Sequence, residues 1–280
     1  MALFNSKKNK QNAAFAALAS RKTLHKNLDF TATEQYKLLR TNLAFTLPGD
    51  LKCPIVGVTR SIKGEGKSTT AVNLAYVLAE KGSRVLLIDG DLRMPSLAKK
   101  LDIASTPGLT DFLMGNGVDM EQFRTGVLEN WYILPAGNIP PNPSELLGSP
   151  RMEAVLNGFK EMFDFIIVDL PPVNVVSDAL SISGFISGLI LVIREEYTEK
   201  SELEHCFRQL EFSNVKLLGC VMNESRSEGG SYGKYRKNRY YKYRYRKYGY
   251  GYNYGDYYTQ RRSGANTEQT GASTENTDKK

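Results

Sequence analysis

One nine-residue segment limits what this chain can fold into more than any other feature. Residues 61–69 read Ser-Ile-Lys-Gly-Glu-Gly-Lys-Ser-Thr, between a short apolar strand predicted at 55–59 and an amphipathic helix predicted at 67–81. The segment matches the end of the phosphate-binding pattern GxxxxGK[ST], with Ser61 where the first glycine usually stands. A strand, a glycine-rich loop and a helix in this order predict a loop that binds the phosphates of a nucleotide.

The chemistry of this loop comes from its backbone and from two side chains. Gly64 and Gly66 let backbone N–H groups turn toward phosphate oxygens, and the following helix N-terminus adds partial positive charge. Lys67 can reach the β- and γ-phosphates, and the Ser68 hydroxyl can ligate Mg²⁺. The residues predicted to bind the nucleotide in this loop are Gly64, Glu65, Gly66, Lys67, Ser68 and Thr69.

The rest of the chain up to residue 225 alternates short apolar strands with helices. Strands are predicted at 55–59, 85–89, 131–134, 165–169, 189–193 and 217–222. Helices are predicted at 31–46, 67–81, 150–163 and 199–212. Thr31 or Thr33 is expected to cap the first helix. Near-continuous apolar strands that alternate with helices indicate an α/β fold of the P-loop NTPase type, with a doubly wound, mainly parallel sheet covered by helices on both faces.

Three carboxylates follow two of these strands. Asp89 ends the strand at 85–89, Asp91 stands two residues later, and Asp169 ends the strand at 165–169 in the form of a Walker B motif. The carboxyl ends of parallel strands form one edge of the sheet, where ligands bind. Beside a phosphate loop, one carboxylate can serve Mg²⁺ and another can accept a proton from an attacking hydroxyl.

The net charge of +7 is unevenly distributed along the chain. Residues 1–28 carry +6, residues 29–225 carry −7, residues 226–262 carry +9 and residues 263–280 carry −1. An acidic body with two basic arms suggests that the arms meet nucleic acid, an anionic membrane face or the acidic body itself. The three cysteines are far apart without CxxC spacing, which argues against a zinc site or a disulfide framework and fits a reducing cytoplasm.

The C-terminal arm is rich in tyrosine. Residues 231–258 hold 12 of the 16 tyrosines, interleaved with Arg, Lys and Gly: Tyr232, Tyr235, Tyr240, Tyr241, Tyr243, Tyr245, Tyr248, Tyr250, Tyr252, Tyr254, Tyr257 and Tyr258. This composition cannot build a core. The predicted organisation is therefore a basic arm at 1–30, a P-loop domain at 31–225, and a disordered tail at 226–280 with its tyrosine cluster at 232–258.

Together these motifs resemble one family. The phosphate loop at Lys67, the run Asp89-x-Asp91-x-Arg93, the run Asp169-Leu-Pro-Pro and the tyrosine-rich tail are similar to the bacterial tyrosine kinases of capsule and exopolysaccharide operons. The resemblance covers about residues 30–225, and it extends to the run 135–147. It is greatest to the cytoplasmic form of Gram-positive bacteria, whose membrane activator is a separate chain.

The resemblance implies roles for particular residues. Lys67 and Ser68 would hold phosphates and Mg²⁺, Asp89 would be the base that activates tyrosine, and Asp91 and Asp169 would work at the metal. Asn223 resembles the position that contacts adenine in related ATPases. The tail tyrosines would be autophosphorylated between subunits. The subunit-interface motif ExxRxxR would be Glu34, Lys37 and Arg40, with Lys in place of the first Arg.

The resemblance also implies partners and a location. ATP and Mg²⁺ would be required, and the chain would form a homo-oligomer such as a ring. A transmembrane polysaccharide co-polymerase would activate it, and a cognate tyrosine phosphatase would reverse the reaction. The chain would be cytoplasmic and recruited to the inner face of the membrane by that partner, with no nucleic acid involved. No run of the sequence approaches the ~20 apolar residues of a membrane helix.

Two other readings of the same motifs stay open at this point. A ParA/MinD-like ATPase that positions cargo has the same loop and acidic strand ends, although its signature lysine would fall at Ile62. A nucleotide-gated scaffold could use the basic, aromatic tail to bind RNA or anionic lipid. The density of tyrosines favours the kinase reading over both.

Overall fold

The structure, a computed structural model, describes residues 28–225 of the chain. Six strands form one sheet, and all of its strand pairs are parallel. The strands are β1 (Ile55–Arg60), β2 (Val85–Asp89), β3 (Trp131–Leu134), β4 (Phe165–Asp169), β5 (Gly188–Arg194) and β6 (Leu217–Asn223). Their order across the sheet is β3-β2-β4-β1-β5-β6, so β1 lies inside the sheet and the chain crosses to both sides of it.

Helices and short 3₁₀ turns connect the strands. The helices are α1 (Phe30–Thr46), α2 (Lys67–Glu80), α3 (Leu97–Leu101), α4 (Leu109–Met114), α5 (Pro143–Leu147), α6 (Pro150–Lys160), α7 (Asp178–Ser181) and α8 (Lys200–Phe212). The 3₁₀ turns are Met120–Phe123 and Ser183–Phe185. Parallel strands need such crossovers, since a tight hairpin cannot return the chain in the same direction.

Two apolar cores lie on the two faces of the sheet. Successive side chains of β1 alternate between them: Ile55 joins the core that contains residues of α4, α6 and α8, and Val56 joins the core that contains residues of α1, α2 and α3. Both side chains are fully buried. The structure therefore confirms the predicted parallel α/β sheet with helices on both faces.

Aromatic residues close the β3 edge of the sheet. Trp131 and Tyr132 belong to opposite cores, and each is 1% exposed. Tyr76 of α2 packs edge-on against Trp131, with 5.7 Å between ring centroids. Phe163 packs edge-on against Tyr132 at 5.1 Å. These contacts bury two of the four tyrosines that lie outside the tail cluster.

Two predicted helix boundaries are wrong for identifiable local reasons. Helix α1 is capped by Asp29, whose Oδ1 accepts from the Ala32 N–H at 2.7 Å, and not by Thr31 or Thr33. An aspartate is a strong N-cap, so it takes precedence over threonines that lie inside the helix. Helix α6 ends at Lys160 and not at residue 163, because the chain turns there and the Met162 N–H bonds the Phe159 carbonyl.

The topology brings the predicted site residues to one edge of the sheet. Asp89 and Asp169 end neighbouring strands and are paired in register, and Asp169 is also paired with Val58 of β1. The phosphate loop leaves β1 at the same edge. None of the helices in residues 28–225 is long and apolar enough to cross a membrane. The N-terminal arm and the tyrosine cluster lie outside the described residues.

Candidate active site

The phosphate loop connects β1 to α2 through two glycines in the left-handed region. Gly64 has φ +98° and Gly66 has φ +87°, a conformation that L side chains rarely adopt. A Cβ on Gly66 would lie 1.9 Å from Nδ2 of Asn223, so that position also lacks space for a side chain. The glycines therefore shape a loop that ends directly at the N-terminus of α2, as the motif predicts.

A buried carboxylate holds the loop together from inside. Glu65 is fully buried, and its Oε1 accepts from the Ser61 hydroxyl at 2.7 Å. Its Oε2 accepts from the Ile62 N–H at 3.0 Å, and the Thr198 hydroxyl also donates to Oε1. The hydrogen bond from the Ser61 hydroxyl to Glu65 explains why a serine can stand at the first glycine position of the motif. The Glu65 carboxylate is therefore occupied by hydrogen bonds within the protein, and only the backbone of Glu65 is available for the predicted contact with a nucleotide.

Two carboxylates pair with the loop lysine. Nζ of Lys67 lies 2.8 Å from Oδ1 of Asp169 and 3.7 Å from Oδ2 of Asp91. The side chains of Lys67, Asp91 and Asp169 are 1%, 6% and 0% exposed. Among residues 28–225, Nζ of Lys67 and both carboxylate oxygens of Asp169 have no hydrogen bond of good geometry. Buried charged atoms that are only ion-paired are costly, which marks this cluster as a place for a polar ligand.

Asp89 has the electrostatics of a proton acceptor. Burial, followed by the negative charge of Asp169, raises the pKa of Asp89 from 3.8 to about 7. Backbone hydrogen bonds oppose this effect, since Oδ2 of Asp89 accepts from the N–H groups of Ser96 at 3.0 Å and Leu97 at 2.9 Å. A carboxylate with a pKa near neutral pH is well matched to general base catalysis.

The oxygen atoms around Lys67 suit a magnesium ion. Burial raises the pKa of Asp91, its Oδ1 accepts from the Met94 N–H at 3.1 Å, and its Oδ2 faces Lys67. The Ser68 hydroxyl lies 3.1 Å from that of Ser96. Within the described part of the chain, no group of three or more His, Cys, Asp or Glu side chains is arranged to hold a metal. Mg²⁺ keeps several waters and phosphate oxygens, so a hydroxyl and one or two carboxylates fit its needs.

A second ion pair beside the site was not found from the sequence. The Arg93 guanidinium donates from Nε at 3.0 Å and from Nη2 at 3.1 Å to the carboxylate of Asp178, which is fully buried at the start of α7. Nη2 also donates to the Ser144 hydroxyl at 3.0 Å. This pair fixes the segment after Asp91 to α5 and α7. Asp178 lies in an apolar stretch far along the chain, and no local sequence signal reveals such a partner.

Two further predicted nucleotide contacts lie at the loop. Nδ2 of Asn223 donates to the Glu65 carbonyl at 3.0 Å, so this side chain is already directed at the phosphate loop. The Thr69 hydroxyl accepts from Nζ of Lys100 at 3.0 Å. The structure brings both residues to the site, and their contacts with a nucleotide stay predictions.

The predicted interface residues lie on α1, and they have different surroundings. Lys37 and Glu34 form an exposed ion pair at 3.0 Å within the helix. The Arg40 guanidinium is turned toward its own chain, where Nη1 donates to the Val77 carbonyl near the C-terminus of α2. The role of these three residues between subunits stays a prediction.

Comparisons with known proteins identify the family. A family model described as an AAA domain matches residues 54–217. The tyrosine-protein kinase YwqD of Bacillus subtilis is 37% identical over 187 residues, which are 66% of this chain and 79% of that protein. This chain belongs to the family of bacterial tyrosine-protein kinases.

Solved structures agree with that assignment. The crystal structure of the chimerical protein CapA2B2 has a TM-score of 0.65 and 32% identity, covering 69% of this chain and 85% of that chain. The kinase domain of the Escherichia coli tyrosine kinase ETK has a TM-score of 0.64 and 30% identity, covering 72% of this chain and 80% of that chain. The predicted resemblance to bacterial tyrosine kinases is thereby confirmed, and the reading as a ParA/MinD-like ATPase is the weaker one.

Proposed function

We propose that this bacterial tyrosine-protein kinase uses ATP to phosphorylate its own C-terminal tyrosine cluster between subunits and so regulates capsular or exopolysaccharide synthesis. The observation that carries the proposal is the pairing of Lys67 with Asp91 and Asp169, next to Asp89 on the neighbouring strand and beside a loop whose two glycines adopt positive φ. Phosphoryl transfer needs positioning and charge neutralisation, and this buried cluster supplies both.

Each residue of the site has a part in that reaction. The backbone N–H groups of the loop bind phosphate oxygens of ATP, and Lys67 moves its positive charge from the carboxylates to the β- and γ-phosphates. Asp89 accepts the phenolic proton as a tyrosine attacks the γ-phosphorus, and ADP leaves. A free phenol has a pKa of about 10, so it needs such a base at neutral pH. Asn223, whose Nδ2 donates to the Glu65 carbonyl, would contact the adenine of ATP.

Ser68, Asp91 and Asp169 are the residues that would hold Mg²⁺. A bound Mg²⁺ would supply positive charge that offsets the charge of the transferring phosphoryl group. Ser68 follows Lys67 in the first turn of α2, Asp91 lies two residues after the end of β2, and Asp169 ends the neighbouring strand β4. The three side chains therefore approach from different elements. Their oxygen donors are of the kind that Mg²⁺ prefers.

The tyrosine cluster is the proposed substrate because of its charge and density. Residues 226–262 carry +9 and residues 29–225 carry −7, so attraction brings the tyrosines toward a carboxylate-lined site on a neighbour. Each phosphotyrosine adds about −1.5 to −2 charges, and about five would cancel the positive charge of this segment. Attraction would then turn to repulsion. An oligomer held partly by these contacts should loosen, and equal oligomer sizes before and after heavy phosphorylation would contradict this.

The proposed partners follow from the family and from α1. A homo-oligomer such as a ring would use Glu34, Lys37 and Arg40 between subunits. A transmembrane co-polymerase would recruit the chain to the inner face of the membrane and activate it. A cognate phosphatase would remove the phosphate from the tail.

The test is incubation of the full chain with Mg-ATP, followed by mass spectrometry to locate phosphotyrosine. Lys67→Met and a truncation after Ser225 serve as matched controls, each with and without the cytoplasmic segment of a neighbouring membrane protein. We expect phosphate on Tyr232–Tyr258 in the full chain and none in either control. ATP hydrolysis without phosphotyrosine, even with that segment present, would overturn the proposal in favour of a positioning ATPase.

A further inference from the structure

Three consecutive carbonyl groups of the phosphate loop each accept a hydrogen bond from a side chain outside the loop. The Tyr197 hydroxyl donates to the Lys63 carbonyl at 3.0 Å. Nη1 of Arg194 donates to the Gly64 carbonyl at 3.3 Å. Nδ2 of Asn223 donates to the Glu65 carbonyl at 3.0 Å, and we refer to the three donor residues, Arg194, Tyr197 and Asn223, as the carbonyl clamp.

The clamp determines where the amide groups of the loop point. In a planar trans peptide, the C=O of one residue and the N–H of the next point in opposite directions. Carbonyls 63, 64 and 65 are directed at the clamp, so the N–H groups of residues 64, 65 and 66 are directed away from it. Successive N–H groups on one side of a turn form a concave anion site. The clamp therefore presents three amides to a phosphate without touching it.

Tyr197, like Arg194, is a member of the clamp that no sequence motif predicts. It lies in the turn between β5 and α8, and its side chain is 47% exposed. The Arg194 guanidinium lies 4.9 Å from the centre of its ring and also pairs with Glu224 at 2.6 Å. These contacts hold the ring against the loop. The approach is close: a Cβ built on Gly64 would meet the Tyr197 hydroxyl oxygen at 2.9 Å.

The neighbouring residue anchors the same turn to the loop. The Thr198 hydroxyl donates to the buried Glu65 carboxylate and accepts from the Arg194 N–H at 3.1 Å. The end of β5 and the turn after it are therefore tied to the phosphate loop at residues 63, 64 and 65. A segment distant in sequence thus sets the conformation of the loop.

We propose that Tyr197 is a positioning residue for nucleotide binding, whose hydroxyl holds the Lys63 carbonyl outward and so directs the Gly64 N–H toward the phosphates. The proposal rests on the nucleotide site proposed above, but not on the identity of the phosphate acceptor. Its chemical target is a nucleoside diphosphate or triphosphate, since the loop amides bind phosphates and make no contact with a base or a sugar.

The test removes only the hydroxyl group. In the full chain, Tyr197→Phe should raise the dissociation constant for Mg-ADP about two- to tenfold, which is the value of one net hydrogen bond. The affinity for AMP should change less, since AMP lacks the β-phosphate that the loop holds. Amide hydrogen exchange of residues 61–69, measured by mass spectrometry without nucleotide, should become faster because the loop loses one tie.

Tyr132→Phe is the matched control. It also removes a tyrosine hydroxyl that donates a hydrogen bond, to Glu121 at 3.0 Å, but on the edge strand β3. The proposal would be overturned if Tyr197→Phe left the affinity for Mg-ADP unchanged, or if both variants lost affinity equally. It would also be overturned if Tyr197→Phe weakened the binding of Mg-ADP and AMP by the same factor. The two proposals can fail independently. If the unchanged chain binds Mg-ADP but forms no phosphotyrosine, the kinase proposal fails, and the effect of Tyr197→Phe on Mg-ADP affinity still tests the role of Tyr197.

Discussion

Lys67 shows at the scale of single residues how one motif serves both structure and chemistry. Its ammonium group lies between the carboxylates of Asp169 and Asp91, where all three side chains are nearly inaccessible to solvent. The desolvation cost of such a cluster can exceed its Coulombic gain, so it contributes little to net stability. The sequence predicted each of these residues from its motif. It could not predict the distances, because these depend on how β1, β2 and β4 pair across the sheet.

The raised pKa of Asp89 leads to a prediction for stability. The folded protein keeps a proton on Asp89 up to about pH 7, whereas the unfolded chain releases it near the ordinary value of 3.8. The folded state binds more protons in this interval, so Asp89 lowers stability progressively as the pH rises from about 4 to about 7. Asp89→Asn cannot ionise, so its stability relative to the unchanged protein should rise over that interval, by about 3 kcal/mol.

Urea unfolding of both proteins at pH 5 and pH 8, without nucleotide or Mg²⁺, measures this difference. Any constant effect of the new amide cancels when the two pH values are compared. A difference in unfolding free energy that is the same at both pH values would contradict the prediction. The same variant should lose phosphotyrosine formation, because the asparagine cannot accept the phenolic proton.

At the scale of elements, strands were easier to predict than helix ends. All six strands were found within a residue or so of their bounds, because buried parallel strands are nearly continuous apolar runs. Helix ends depend on local competition, as the capping of α1 by Asp29 shows. The turn after β5, which carries Tyr197 and Thr198, has no local signature. The role proposed for it rests on contacts with Lys63 and Glu65, more than 130 positions earlier in the chain.

Arg40 and Lys37 are expected to behave differently although both belong to one predicted interface motif. Arg40→Ala removes the hydrogen bond to the Val77 carbonyl and a positive charge near the C-terminus of α2, so it should lower the unfolding free energy by about 1 kcal/mol. Lys37→Ala removes an exposed pair with Glu34 and should change it by less than about 0.5 kcal/mol.

Urea unfolding measures the stability of these two variants, and sedimentation velocity measures their oligomer size. A smaller oligomer in Lys37→Ala at unchanged stability would support a role of the motif between subunits. Equal losses of stability in both variants would show that the hydrogen bond from Arg40 to the Val77 carbonyl does not stabilise the fold.

At the scale of the whole molecule, the sequence predicted the sheet and its two cores because the pattern of apolar runs repeats over the entire body. It predicted which edge of the sheet carries the site, because the phosphate loop follows β1 and the motif carboxylates Asp89 and Asp169 end β2 and β4. It did not predict the pairing of Arg93 with Asp178, or the ties between the phosphate loop and the turn after β5. Those contacts join segments whose proximity only the complete topology determines.

The cysteines give a prediction for global unfolding. Cys53 and Cys206 are buried, and burial raises the pKa values of their thiols to about 11 and about 12. Cys220 is exposed on edge strand β6, although partial burial also raises its pKa. Alkylation at about pH 9 should therefore label Cys220 first, and the other two only at the rate of global unfolding. Peptide mass spectrometry checks the order, and early labelling of Cys206 would contradict the described core.

The burial of aromatic rings along β3 has a consequence for selectivity. Tyr76 and Tyr132 are 8% and 1% exposed, and Tyr36 packs partly against the core. Tyr197 is the remaining tyrosine of the described region, and its hydroxyl is engaged with the phosphate loop. A kinase with this surface offers few acceptor phenols on its own folded body. Selection of the proposed tail acceptors over the folded body then requires no recognition of a sequence motif, because two of the four competing phenols are buried, one packs partly against the core and the exposed one is hydrogen-bonded to the phosphate loop.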